Sequence, residues 1–312
     1  MMVGHAMLAF ALAASAASAR GWSRERAMAF GIAAGAFAAV PDVDMAYALV
    51  GLAQVGVASV WTMTAAFWGS SHLVHRAVTH SLVVAVPAAL AFALVARERG
   101  RPAALALLAG LVAVAWAESG VLGAAVMTLF GLAGLAVALV AADRADLGVR
   151  SLFAAALLGL LSHPFGDLFT GAPPRMLYPL DVRLFAERLV LLADPTLNLL
   201  AVFALELCTI WLAGYVYLRL TDQDLFWHVD ARAALGVAYA LAALAMPAPT
   251  LEVSYHFVFS VLAVGVVGVA PHLLPSRSVL SADWNDAVTW TLTGLAAVSF
   301  ATIAYAAVYV IS

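Results

Sequence analysis

Apolar runs recur from one end of this 312-residue chain to the other. Each run is about 17–25 residues long, which is the length that crosses the hydrocarbon core of a bilayer as an α-helix. Only 11% of the residues are charged, whereas soluble domains carry about 25%. Lipid admits only helices or closed barrels, and these runs are too long and too uniformly apolar for barrel strands. We therefore predict an all-α, polytopic helical membrane protein with about 9–10 transmembrane helices.

The first apolar run, residues 1–20, has the small-residue end that is typical of a signal peptide, but it lacks the positively charged start. We expect it to be retained as the first transmembrane helix. The net charge of -3 argues against a nucleic-acid partner. The single cysteine, Cys208, excludes an internal disulfide.

Polar residues are concentrated in one stretch, His72 to Ser81, which holds three histidines, an arginine and two hydroxyls. Ionisable groups at membrane depth are costly and are usually paired or functional. Similar residues stand apart from this stretch, at positions Asp42, Asp44, His163 and Asp167. Histidine nitrogens with aspartate oxygens suit zinc, manganese or iron. The pattern predicts one metal site at the edge of a membrane domain.

Spacing gives several of these residues candidate roles. The Asp-x-Asp pair at 42 and 44 could supply one ligand and one base that acts from outside the ligand set. His163 and Asp167 fall one helical turn apart, provided that the helix continues past Pro164. Arg76 is either a clamp for a phosphate or carboxylate or an arginine that reaches to the membrane interface.

Other residues have structural alternatives. His5 is either a ligand or a packed, interfacial histidine, and His72 is an outer-sphere or interfacial group. Thr79 or Ser81 could be the N-cap of the following helix, and Asp194 is expected to cap the helix that starts at Pro195. Three isolated histidines have structural interpretations: His228, His256 and His272.

The arginines predict an orientation, because cytoplasmic loops of membrane proteins are enriched in basic residues. With the N-terminus outside and no net crossing by residues 45–68, eleven arginines fall inside and four fall outside. The outer four are Arg76, Arg175, Arg183 and Arg188. The same threading places all the candidate ligands at the outer face of a multi-pass plasma-membrane protein.

The motifs resemble the YdjM-like membrane-bound metal-dependent hydrolases, also described as LexA-binding, inner-membrane-associated hydrolases. The family pattern is an early His, then Pro-Asp-x-Asp, His-Arg-x-x-Thr-His-Ser and His-x-x-x-Asp-x-x-Thr. It stands here at His5, 41–44, 75–81 and 163–170. The resemblance covers residues 1–206, which we expect to be a hydrolase-like core, and 207–312 would be additional C-terminal transmembrane helices. The pattern is also similar to that of the helical zinc phospholipase C and nuclease superfamily, which implies phosphoester hydrolysis.

Our first hypothesis is therefore an integral-membrane, metal-dependent hydrolase that acts on a phosphoester, such as a lipid head group, at the membrane surface. The metal is expected to be zinc, with manganese as the alternative. The expected ligands are His5, Asp42, His75, His80, His163 and Asp167. Asp44 would be the base or a bridging ligand, and Arg76 would hold the anionic part of the substrate. Two alternatives remain: a transporter or channel for a metal ion or proton, and a non-catalytic protein whose metal only joins helices.

Overall fold

The computed structural model describes residues 2–71, 76–270 and 283–312, and every regular element in these ranges is a helix. The all-α class is confirmed. Five helical stretches in the described ranges are long and apolar enough to cross a membrane: Arg24–Val55, Glu98–Ala145, Val149–Asp167, Pro195–Leu220 and Trp284–Ile311. Four apolar helices are shorter: Val3–Ala19, Leu82–Leu94, Ala231–Ala245 and Tyr255–Gly268. The protein is a polytopic helical membrane protein.

The chain forms two compact units, Met1–Leu189 and Val190–Ser312. The predicted division at residue 206 rested on where the motif residues end rather than on packing, and it stays a prediction. The helices of the first unit are α1 (Met2–Ala19), α2 (Arg24–Ala39), α3 (Ala48–Val55), α4 (Val60–Ser71), α5 (Leu82–Leu94), α6 (Arg101–Ala145) and α7 (Val149–Asp167). Short 3-10 segments, Val40–Tyr47 and Val78–His80, precede α3 and α5.

Helices α3 and α4 form a hairpin that turns at Gly56, whose φ of 66° lies in the region that glycine adopts readily. The Ser70 hydroxyl donates to the carbonyl oxygen of Ala48 at 3.3 Å. The end of the hairpin therefore lies at the level of its beginning. With 8 and 12 residues, the two helices are only about 12 and 18 Å long, which is shorter than the hydrocarbon core of about 30 Å.

Helix α6 is two helices joined at Gly120, where φ is 64° and ψ is -160°. Only glycine adopts this conformation without strain. In the sequence, Glu118-Ser119-Gly120 predicts a turn between two apolar helices, and the break at Gly120 confirms it. The Ser119 hydroxyl lies 3.3 Å from the hydroxyl of Tyr178.

Aromatic side chains join the helices of the first unit. Phe37 of α2 lies 5.7 Å from Phe92 of α5 between ring centroids, and Phe92 lies 5.9 Å from Phe130 of α6. All three are fully buried. In lipid, where the hydrophobic effect does not drive helices together, close packing of this kind supplies much of the association.

The second unit contains α8 (Pro195–Leu220), α9 (Ala242–Ala245), α10 (Tyr255–Ala263) and α11 (Trp284–Ile311). Asp194 caps α8 by accepting a hydrogen bond from the amide of Leu197 at 2.8 Å, as predicted. The apolar run after Arg232 predicts a helix to about Met246, and the structure instead has a 3-10 segment, Ala231–Leu241, followed by the short α9. Three residues per turn align Ala233 and Gly236, both of which are buried, and Gly236 meets the backbone of Ala297 in α11.

Candidate metal centre

The candidate site lies where α1, α2, α5 and α7 come together. His5 lies in the first turns of α1, Asp42 and Asp44 follow the last turn of α2, and His80 precedes α5. Helix α7 supplies the other two predicted side chains, His163 and Asp167. All six side chains are buried, and His80 and His163 are 0% exposed. Among the described residues, the buried acidic and imidazole groups are confined to this cluster.

Helix α7 continues through Pro164 to Asp167, as the spacing of its two candidate ligands requires. Both side chains are buried on one face of the helix, four residues apart. Gly159, one turn before His163, lies so close to α2 that an added Cβ would stand 2.5 Å from the carbonyl oxygen of Ala34. This close approach brings His163 to the end of α2.

The end of α2 orients His163. Its Nδ1 lies 2.6 Å from the carbonyl oxygen of Ala38, one of the last four carbonyls of the helix, which have no intrahelical partner. Because a carbonyl oxygen only accepts, Nδ1 carries the proton. In the neutral imidazole, Nε2 then presents its lone pair, the form in which histidine binds a metal.

A second chain of hydrogen bonds orients His80. The Thr79 hydroxyl donates to Asp44 Oδ2 at 2.9 Å, so it accepts the hydrogen from His80 Nδ1, which lies 2.8 Å away. Nε2 of the neutral His80 ring therefore carries a lone pair as well. Burial disfavours the imidazolium and holds the pKa of His80 below its ordinary value.

The two Nε2 atoms meet two carboxylate oxygens. Nε2 of His80 and Nε2 of His163 are 3.0 Å apart. Asp42 Oδ1 lies 3.8 and 3.5 Å from them, and Asp167 Oδ2 lies 3.1 and 3.6 Å from them. For comparison, neighbouring ligand atoms in a tetrahedral zinc site with bonds near 2.0–2.1 Å are about 3.3 Å apart.

Two buried carboxylate oxygens bear on whether this cluster could hold a cation. Asp42 Oδ2 and Asp167 Oδ2 have no hydrogen-bond partner in the described part of the chain. For Asp167 Oδ2, the nearby imidazole nitrogen lies in a direction that does not suit a hydrogen bond. Buried carboxylate oxygens are normally satisfied, and a cation held by the converging nitrogen and oxygen atoms would satisfy Asp167 Oδ2, which is one of them. The donor set therefore fits a divalent metal.

His5 contacts the opposite oxygen of Asp167. Its Nε2 lies 3.2 Å from Asp167 Oδ1, and its ring centroid lies 4.0 Å from that of His163. Two triads have potential ligand atoms within 4.8 Å of one another, and they share His163: His5, His163 and Asp167, and Asp42, His80 and His163. His5 can thus bind a metal directly or hold Asp167 in place.

Arg76 ties the site to the loop after α7. Its Nη2 donates to Asp167 Oδ1 at 3.2 Å and to the Thr170 hydroxyl at 2.7 Å. Its Nη1 donates to the carbonyl oxygens of Asp167, Thr170 and Ala172. Its backbone amide donates to Asp44 Oδ2, and its φ is 67°. These contacts favour a role in holding the loop, and the predicted contact with a substrate stays a prediction.

The structure brings together six of the predicted side chains with Arg76. His75 and His72 lie outside the described residues. Ser81 is the N-cap of α5 and also donates to the carbonyl oxygen of Tyr178 at 2.6 Å. The sequence analysis did not predict that Thr79, within the histidine stretch, links His80 to Asp44. It also did not predict that the Ala38 carbonyl orients His163. The position of Ala38 in the last helical turn before Pro41 is the signal that points to a carbonyl without a partner.

The chain matches one family model, that of the YdjM inner membrane protein family, over residues 1–247. No curated protein and no solved structure matches it. The matched range includes every candidate ligand and extends past the end of the first compact unit. The chain belongs to the YdjM inner membrane protein family.

Proposed function

We propose that the protein is an integral-membrane, metal-dependent hydrolase that acts on a phosphoester at the membrane surface. One observation carries this proposal: the Nε2 atoms of His80 and His163 converge with two carboxylate oxygens in a buried cluster, and two carboxylate oxygens there find no hydrogen-bond partner among the described residues. Zinc suits these nitrogen and oxygen donors, and manganese is the alternative.

The metal would be held by Asp42, His80, His163 and Asp167, and we expect His75 and His5 to complete or support this set. A bound divalent ion supplies polarisation of a phosphoryl oxygen and activation of water for attack. The contacts of Asp44 favour a positioning role for this residue, because its Oδ2 faces Thr79, the Arg76 amide and Nδ1 of His80, which lies 3.5 Å away. Arg76 holds Asp167 and the 167–172 loop in position.

The arginine distribution supports a site at the outer face of the membrane. The site joins the start of α1, the end of α2, the start of α5 and the end of α7. The opposite ends of these helices carry or adjoin Arg20, Arg24, Arg97 and Arg150. Because cytoplasmic ends are enriched in arginine, the proposed hydrolase would act outside.

Metal content tests the proposal directly. We expect the detergent-purified protein to carry near-stoichiometric zinc or manganese by mass spectrometry, and His80→Ala and Asp167→Ala to lose it. Asp143→Ala is the matched control, because the Asp143 side chain is exposed and pairs only with Arg144 among the described residues. Phosphoester turnover should fall to background in His80→Ala. Normal turnover in that variant, or folded wild-type protein that binds no metal, would overturn the proposal.

A further inference from the structure

The loop that leaves the candidate site carries exposed apolar side chains on irregular backbone. Residues 180–189 contain no helix or strand. Leu180, Val182, Leu184 and Leu189 are 55%, 53%, 52% and 40% exposed. From 180 to 184 the apolar residues Leu180, Val182 and Leu184 alternate with Asp181 and Arg183.

The backbone of this loop needs polar partners. The amides of residues 181–187 donate no hydrogen bond to any described residue. Irregular backbone with unpaired amides is excluded from the hydrocarbon core, whereas exposed leucine and valine side chains are poorly placed in water. The headgroup region of a bilayer satisfies both requirements. Its head groups and water form hydrogen bonds with the backbone, and the apolar side chains can reach the adjoining acyl chains.

The charges of this loop and the way its ends are attached also favour the headgroup region beside the candidate site. Residues 180–189 hold two arginines and two carboxylates, and Arg175 just before them gives the segment 175–189 a net charge of +1, which suits anionic lipid head groups. Both ends of the segment 175–189, which contains the loop, are bound beside the candidate metal centre. The amide of Arg175 donates to the carbonyl oxygen of Arg76 at 3.0 Å, and the amide of Leu189 donates to the carbonyl oxygen of Leu168 at 2.7 Å.

We propose that residues 180–189 form a lipid-contact surface that lies in the headgroup region and brings an anionic phospholipid to the adjacent metal centre. The location of residues 180–189 in the headgroup region does not depend on the proposed hydrolase function. The second part of this proposal rests on the proposed hydrolase function and deepens it, since it makes the substrate an amphiphile that arrives from the bilayer rather than a free phosphoester from water.

The depth is tested by site-directed fluorescence in proteoliposomes that contain an anionic phospholipid. Cys208, the single and exposed cysteine, is first replaced by serine, and an environment-sensitive dye is attached to Leu184→Cys. Arg99→Cys, in an exposed loop, is the water-facing control. Leu132→Cys, which is 59% exposed in the second half of α6, is the hydrocarbon control.

We expect the dye at 184 to be quenched by nitroxide lipids labelled near the head group. With iodide present on both sides of the membrane, we also expect it to be protected from iodide relative to the dye at 99. Nitroxides deep in the acyl chains should quench it less than they quench the dye at 132. Iodide quenching equal to that at 99 would overturn the proposal and place the loop in water. Protection from both lipid nitroxides and iodide would also overturn it, because protein would then cover the loop.

Substrate delivery is tested with Leu184→Asp and its apolar control Leu184→Phe. We expect Leu184→Asp to lose hydrolysis of a vesicle-embedded anionic phospholipid while keeping metal content and turnover of a soluble nitrophenyl phosphodiester. Equal loss on both substrates would overturn delivery. If the wild-type protein hydrolyses neither substrate, the hydrolase proposal and substrate delivery both fail, and the depth assignment is judged by fluorescence alone.

Discussion

Nδ1 of His163 donates its hydrogen to the carbonyl oxygen of Ala38 at 2.6 Å, across 125 positions of sequence. A backbone carbonyl at the end of one membrane helix thereby selects the tautomer of a candidate ligand on another. The orientation of Nε2 depends on how closely α2 and α7 pack, and the first prediction follows from that dependence.

Gly159→Ala should weaken metal binding although residue 159 is not a ligand. The added Cβ would lie 2.5 Å from the Ala34 carbonyl oxygen and 2.7 Å from the Ala38 amide, so α7 must move away from α2. Loss of a partner that orients a ligand lowers metal affinity by about 10–100-fold. Gly148→Ala is the control, because its Cβ meets nothing within 4 Å. Metal competition titrations of the two variants measure the difference, and equal affinities would contradict this account.

Thr79→Val should show whether the Thr79 hydroxyl, which links His80 to Asp44, supports metal binding beyond the packing of the side chain. It preserves the side-chain shape and removes the hydroxyl that links His80 Nδ1 to Asp44. We expect metal affinity to fall by about 10–100-fold, and Thr79→Ser to restore most of it because the serine hydroxyl can make both hydrogen bonds. If Thr79→Val bound metal as tightly as Thr79→Ser, the hydroxyl relay would have no role.

Gly166→Ala should displace His5, because the new Cβ would lie 2.4 Å from the His5 ring. If His5 is a ligand, Gly166→Ala and His5→Ala should lower metal content alike. If His5 only holds Asp167, both variants should retain the metal with reduced affinity. Metal stoichiometry measured at saturating zinc, beside affinity, distinguishes these two roles.

Zinc should raise the unfolding temperature of the wild-type protein in detergent. A ligand that binds only the folded state stabilises it by about 2.7 kcal/mol at a concentration 100 times its dissociation constant. Asp167→Asn removes a charged ligand candidate and should abolish the zinc-induced shift, whereas the exposed-site control Asp143→Asn should keep it. A shift that persists in Asp167→Asn would place the zinc at another site.

The outer location of the site can be tested in intact cells. In a Cys208→Ser background, Ala172→Cys lies in the exposed loop after α7 and should react with a membrane-impermeant maleimide. Arg99→Cys should react only after the membrane is permeabilised. The reverse pattern would invert the orientation that the arginines predict and place the candidate metal centre at the cytoplasmic face.

Much of the fold could be predicted because a membrane helix corresponds to one contiguous run of apolar residues. Each apolar run reports its own helix, and Gly120 and Pro41 mark breaks that the structure contains. The prediction of an α-helix after Arg232, to about Met246, was wrong, because the 3-10 segment Ala231–Leu241 replaces most of it. The reason is tertiary: Gly236 packs against the backbone of Ala297, and no local pattern reports a partner so far along the chain.

The sequence by itself determined that this is a helical membrane protein of the YdjM inner membrane protein family and named the residues of its polar cluster, because hydropathy and motif spacing are local properties. Only the tertiary structure decided that His5 meets Asp167 across 162 positions, that Arg76 binds the 167–172 loop, and that Thr79 and the Ala38 carbonyl orient two imidazoles. Those relationships depend on helix packing at atomic distances, which neither composition nor spacing encodes.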